Sequence, residues 1–251
     1  TEDHLRMLRA VRFAARFDFE IEEYTAEAIR NASSHLDGVS RERIGEEVKR
    51  MLSHSTRGFA AWEMQYLRLD AAALCEANIL NAPRRVGRLP DDASYPTALA
   101  GWLLDRHGEA DDETAATLTA RWREALLLSN DHHREFVATI DVYRSLRTQW
   151  WSLRMADQKR LACSRGFYGA LALLKAADSQ AFVDIQRRVS DLSESGLAPD
   201  PLVTGEDLIR WGFEPGPAFK HILHEVYSAQ LEGTVRDGDE AMALARVLAE
   251  Q

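Results

Sequence analysis

The chain of 251 residues has only two cysteines, Cys75 and Cys163, far apart and outside any C-x-x-C spacing. That scarcity argues against a disulfide framework or a cysteine-based zinc site. It predicts two reduced, mostly buried thiols in a cytoplasmic protein. No apolar run approaches the ~20 residues needed to cross a bilayer, and no segment reads as a signal peptide. Strand-like alternation of useful length is missing, as is any strict internal repeat. Positive charge is not in excess either. The formal net charge of −9 argues mildly against an unspecific nucleic-acid coat, but a local basic stripe can still bind phosphate on an acidic chain.

What the chain does have is helical periodicity. Leu5, Leu8, Val11, Ala14 and Ala15 recur at three- and four-residue steps and predict an amphipathic helix from about 3 to 17. Further helices are predicted from Glu23-Tyr24-Thr25 onward and from Arg41 to Leu52, with two short ones between Gly58 and Ile79. Asn81 to Tyr95, with Pro83, Gly87 and Pro90, reads as a linker. Helices are then predicted over Thr97–Arg106, Glu113–Leu128, Asp131–Trp150, Ala156–Ala177 and Ala181–Ser193, and a break over Gly196–Pro201. The last fifty residues carry their own caps: Thr204-x-x-Asp207 and Asp237-x-x-Glu240 as capping boxes, Gly212 as a stop and Pro217 in a first turn. The fold class is all-α. A helix predicted almost at Thr1 also leads us to expect that the chain begins inside something longer.

The sharpest chemical signal lies in the first helix. At 100° per residue, Arg6, Arg9, Arg12 and Arg16 fall within about a third of the circumference, opposite Val11 and Ala14. Asp3 and Arg6 stand three apart and are predicted surface neighbours. A carboxylate only accepts hydrogen bonds and a guanidinium only donates them. The Watson–Crick edges of cytosine and adenine place an amino donor next to an acceptor, whereas uracil and guanine place a carbonyl next to a ring N–H. An Asp–Arg pair therefore matches C and A and leaves unpaired groups against U and G. The same pattern also fits an ordinary ion pair on a solvated helix, worth under ~1 kcal/mol.

The string Glu2-Asp3-His4-Leu5-Arg6-Met7-Leu8-Arg9-Ala10-Val11-Arg12-Phe13 resembles the E-D-x-x-R-x-x-R-A-x-R-F segment of class II tRNA nucleotidyltransferases and bacterial poly(A) polymerases. Phe17-x-Phe19-x-Ile21 and Val39-Ser40-Arg41-Glu42-Arg43-Ile44-x-x-Glu47 resemble the segments that follow it, with Asp18 standing where that family usually has Gly. Thr204-Gly205-x-Asp207-Leu208, Gly212, Pro215-Gly216-Pro217 and Leu231-x-Gly233 resemble the tail of bacterial CCA-adding enzymes. The middle of the chain resembles them only in helical character and in Leu126 to Asn130.

The resemblance implies a neck over 1–53, an RNA-binding body over 54–200 and a tRNA-binding tail over 201–251, arranged in series. It implies that Asp3 and Arg6 pair with the base of incoming CTP or ATP, that Glu2 orients the arginine and that Arg9 lies near the same pocket. Arg12, Glu42, Arg43 and Glu47 would brace the helix. The implied partners are the acceptor and TΨC arms of tRNA and an N-terminal catalytic head domain that holds Mg2+ through a carboxylate pair. The Gly-Ser turn of that head does not occur in this chain, so the chain alone is not expected to polymerise nucleotides. Two alternatives stay open: a poly(A) polymerase of the same superfamily, and a non-catalytic helical RNA-binding protein.

Other motifs read as structural. Asp237-Gly238-Asp239 has D-x-D spacing but suits a helix cap. His221-x-x-His224-Glu225 lacks an evident third ligand. Asp131-His132-His133 reads as a capping aspartate followed by two surface histidines. Trp150-Trp151 fits core or interface packing better than base stacking.

Overall fold

The computed structural model describes residues 3–214 and 216–249; Glu2 and Pro215 lie outside the described residues. The described residues form fifteen α-helices and two short 3-10 turns, with no strand among them. Two compact units divide the chain: residues 1–147 with 165–183, and residues 148–164 with 184–251. Among the described residues no helix is long and apolar enough to cross a membrane.

The first unit begins with α1, Arg6–Phe17, whose apolar stripe is buried at Met7, Leu8, Val11, Ala14 and Ala15. Asp18 stops the helix in the left-handed region at φ 55°, and its N–H bonds to the Ala14 carbonyl. Glycine adopts that conformation at no steric cost and aspartate tolerates it, which explains an Asp where glycine is usual. Next come α2, Glu23–Ala32, and α3, Arg41–Leu52. The Glu22 side chain caps α2 by accepting from the Tyr24 and Thr25 amides. α1 packs on α3 and on α4, Arg57–Tyr66, and α5 spans Leu69–Leu74.

The segment predicted as a linker is instead part of this core. It holds α6, Arg84–Gly87, which packs on α4 and on α7, Tyr95–His107. Val86 is fully buried. The Asp105 carboxylate accepts from the Arg85 and Val86 amides at 2.8 and 3.0 Å, satisfying the start of a one-turn helix. A Cβ on Gly58 would lie 2.6 Å from Gly87 Cα, so the two glycines let α4 and α6 approach backbone to backbone. The Pro and Gly that looked like a linker mark a tight, packed turn.

α8, Asp112–Ala125, and α9, Asn130–Thr148, follow. The one helix predicted over Ala156–Ala177 is two: α10, Met155–Ala162, and α11, Phe167–Ala177. Gly166 separates them at φ 84°, and a Cβ there would lie 2.6 Å from the Thr139 amide nitrogen. The apolar period continues across the break, which hid it.

In the second unit, α10 and the later part of α12, Ser179–Glu194, precede α13, Gly205–Arg210, α14, Pro217–Leu231, and α15, Gly238–Ala249. Val203, Leu208, Ile222, Val226, Val235, Ala241 and Ala245 form its core. Thr204 and Asp207 make the expected capping box. Gly212 sits just beyond α13 at φ 91°, and the Asp237 carboxylate accepts from the amides of Asp239 and Glu240. The buried Lys159 ammonium donates to the Leu231 carbonyl and the Ser195 hydroxyl, both at 2.9 Å.

Both cysteines are exposed, contrary to the expectation of buried thiols. Each sits at a helix C-cap, Cys75 after α5 and Cys163 after α10, outside the packed face. Ser129, and not Asp131, caps the start of α9, its hydroxyl accepting from the His132 amide. Asp131 instead pairs with Arg165 at 2.7 Å. Trp150 is buried, and Trp151 is 64% exposed.

Candidate functional site

The predicted site residues gather where α1 meets α3. Asp3 lies in the turn that leads into α1, its carbonyl accepting from the Arg6 amide at 3.1 Å and its carboxylate from the Leu5 amide at 3.3 Å. Its carboxylate is gripped by Arg43 of α3, whose Nη2 reaches Oδ1 at 3.0 Å and Oδ2 at 2.8 Å. Burial pulls the Asp3 pKa upward, but the Arg43 and Leu5 hydrogen bonds and the charges of Arg43 and Arg9 together hold it below its ordinary value. Asp3 therefore stays a pure acceptor at neutral pH.

Glu47, one α3 turn beyond Arg43, is 2% exposed. Arg12 Nε bonds to its Oε2 at 2.7 Å, and Arg9 Nε lies 3.6 Å and Arg50 Nη1 3.5 Å from its Oε1. A buried carboxylate surrounded by three guanidiniums fixes the roll of α1 against α3, because its charge would otherwise be uncompensated. Arg12 also lies over the Phe13 ring, 4.2 Å from its centroid.

Asp3 and Arg6 line one cavity of about 540 Å³ together with His4, Met7, Ala10 and, from α2, Thr25, Ala28, Ile29 and Ala32. His35, also on its wall, holds its ring 4.9 Å from that of His4. The cavity has a size usual for a small-molecule site and combines apolar walls with a few polar groups. Arg6 is exposed at its rim.

The structure thus brings together Asp3, Arg6, Arg9, Arg12, Arg43 and Glu47. Glu42 is exposed and lines a different, smaller cavity on another face of α3, away from the residues that touch α1. Glu2 lies outside the described residues. The sequence reading missed the α2 wall and the His4–His35 pair. The alternation of small and apolar residues in α2 (Thr25, Ala28, Ile29, Ala32) was its one available trace, and nothing local linked it to α1.

Among the described residues no three His, Cys, Asp or Glu side chains converge as a metal site.

Two family models match the chain. Residues 18–62 match the one described as "Probable RNA and SrmB- binding site of polymerase A", and residues 112–245 match that of tRNA nucleotidyltransferase domain 2. The CCA-adding enzyme of Lactobacillus delbrueckii subsp. bulgaricus is 28% identical over 245 residues, which cover 96% of this chain and 59% of that protein. The CCA-adding enzyme of Streptococcus thermophilus is 25% identical over 257 residues, covering 96% and 58%. A solved structure of a CCA-adding enzyme with ATP shares the fold, with a TM-score of 0.67 at 18% identity over 99% of this chain and 60% of that one. Another, with CTP, gives a TM-score of 0.63, also at 18% identity and the same coverage. The chain spans about 59% of the length of the first of these curated relatives. With more than half of its residues matched by the domain 2 model, the chain belongs to the tRNA nucleotidyltransferase family.

Proposed function

We propose that this chain is the nucleotide-selecting and tRNA-binding portion of an enzyme that adds C, A or both to tRNA 3′ ends. Asp3 and Arg6 pair with the base of incoming CTP or ATP. The observation that carries this reading is the placement of Asp3 and Arg6 on one cavity, with Arg43 holding the Asp3 carboxylate. In that arrangement Asp3 accepts from the exocyclic amino group and Arg6 donates to the neighbouring ring nitrogen. Uracil and guanine would set a carbonyl against the carboxylate and an N–H against the guanidinium, and both groups would lose their hydrogen bonds to water without replacement. Glu47 and its arginines keep α1 rigid so that the reading edge does not yield to the wrong base.

Phosphoryl transfer and its metal belong, on this reading, to a separate head domain, and no step is routed through the residues described above. Residues 1–53 serve as a neck that reads the base. Residues 54–200 and 201–251 grip the tRNA through phosphate contacts that position it without reading most of its sequence. The matched relatives named above support tRNA over other RNA, each being a CCA-adding enzyme.

The test is nucleotide incorporation into a tRNA lacking its CCA end, by the chain joined to the head domain. Arg6→Ala should lose selection of C and A over U and G. Unchanged incorporation and selection would remove the proposed role. The match of residues 18–62 to a polymerase A model favours a second reading, extension of general RNA ends with A. Product length separates the two: one to three added nucleotides for the first, a long tract for the second.

A further inference from the structure

The turn that carries Asp3 leads into α1 with little to hold it from within. Leu5, the residue before the helix, supplies no side-chain cap. The first backbone bonds are short-range: the Asp3 and His4 carbonyls accept from the Arg6 and Met7 amides, both at 3.1 Å. Such bonds fix little by themselves, because the first turn of a helix orders several residues for each hydrogen bond gained. The placement of Asp3 and Arg6 therefore depends on what grips the turn from outside.

Three contacts do so. Leu5 is buried at 2% exposure, and Arg43 holds the Asp3 carboxylate from α3. On the wall of the cavity that Asp3 and Arg6 share, the His4 ring meets the His35 ring, with centroids 4.9 Å apart and planes tilted by 57°. Aromatic rings attract at that separation and tilt. His35 belongs to the 3-10 turn Ser33–Gly38, which is itself fixed. Its neighbour Leu36 is fully buried, the Leu36 carbonyl accepts from the Val39 amide at 2.9 Å, and the turn packs on α5. His35 is exposed, so it adds little to the core, and its consequence lies in what its ring touches.

We infer that His35 is a positioning residue for base selection: through its ring contact with His4 it fixes the turn that presents Asp3 and Arg6. This rests on the base reading proposed above and adds to it a residue on a third element, beyond α1 and α3. His4 lies between Asp3 and Arg6 in the chain, so rotation of its backbone moves both groups of the reading edge together. A single clamp at Asp3 leaves the turn free to pivot about the Arg43 contact. A second clamp, from a different element, removes that freedom and keeps the edge from adapting to the wrong base.

The test measures the ratio of kcat/KM for CTP to that for UTP in the head-joined protein. His35→Ala should lower the ratio about threefold to tenfold, the usual worth of an aromatic pair. His35→Phe keeps a ring and should hold the ratio near that of the parent. His4→Ala should match His35→Ala, and the double variant should add nothing, because both changes remove one contact. A merely structural role would instead lower kcat/KM for both nucleotides together and leave the ratio unchanged. The chain without nucleotide supplies a second readout: the backbone amide resonances of Asp3, Leu5 and Arg6 should move in His35→Ala and return in His35→Phe. Unmoved amides, additive losses in the double variant, a ratio as low in His35→Phe as in His35→Ala, or an unchanged ratio in His35→Ala while Asp3→Asn lowers it would overturn the inference alone. An unchanged ratio in Asp3→Asn would overturn the base reading itself and, with it, the role of His35 in selection.

Discussion

The first unit contains two clusters built from the same arginine–carboxylate chemistry, one closed and one half-open. In one, Arg106 lies fully buried between Asp70 at 2.5 Å and Glu76 at 2.7 Å. Glu76 also takes His107 and the Trp122 indole, Asp70 takes Asn78, and Arg106 donates further to the Ala77 carbonyl. Donors and acceptors there are spent on each other. In the other cluster, Glu47 is buried and surrounded in the same way, but Asp3 and Arg43 remain about 39% and 48% exposed, and Asp3 and Arg6 border a cavity. The closed cluster holds three segments together. The half-open one anchors Asp3 from behind while leaving its edge uncovered, as the proposed base reading requires.

The largest effect should come from opening the closed cluster. Arg106→Leu leaves Asp70 and Glu76 buried without their cation and should cost about 3–5 kcal/mol in urea unfolding, or prevent folding. A variant as stable as the parent would break the comparison. Next, Glu47→Gln removes the hub shared by Arg9, Arg12 and Arg50. It should cost about 1.5–3 kcal/mol, the range for hydrogen bonds to charged groups, and should loosen base selection as well.

Acid should act on the closed cluster too. Burial raises the Glu76 pKa, but the His107 hydrogen bond and the Arg106 charge outweigh it, so the folded value lies below the ordinary 4.5. The unfolded chain therefore binds its proton first as pH falls. The Glu76 contribution is complete above pH 4.5 and is lost as pH drops through the folded value. Stability measured against pH should fall below that point, and Glu76→Gln should flatten this part of the profile. The smallest change in stability belongs to Arg43→Ala: the melting temperature should stay within error of the parent, while preference for CTP over UTP falls in the head-joined protein. A loss of stability with selection intact would reverse the roles assigned to the two clusters.

Much of this was legible along the chain. The stripe of α1, the bounds of α3 and the Thr204–Asp207 cap depend on near neighbours, so local spacing carried them. The linker misreading of Asn81–Tyr95 and the unseen break at Gly166 share one cause: each is decided by backbone approach to a distant segment, Gly58 in one case and Thr139 in the other. Charge spacing placed Asp3 beside Arg6, yet the partner of the Asp3 carboxylate is forty residues away on α3, a pairing that only the fold reveals. The closed cluster was invisible for the same reason, since Asp70, Glu76 and Arg106 carry no motif and meet only through packing.

The most direct test of base reading is the ratio of kcat/KM for CTP to that for UTP in the head-joined protein, before and after Asp3→Asn. Asparagine keeps the shape of aspartate but adds an amide donor able to face the uracil carbonyl. The account predicts a ratio at least about tenfold lower, one hydrogen-bond mismatch relieved against uracil. An unchanged ratio would contradict it.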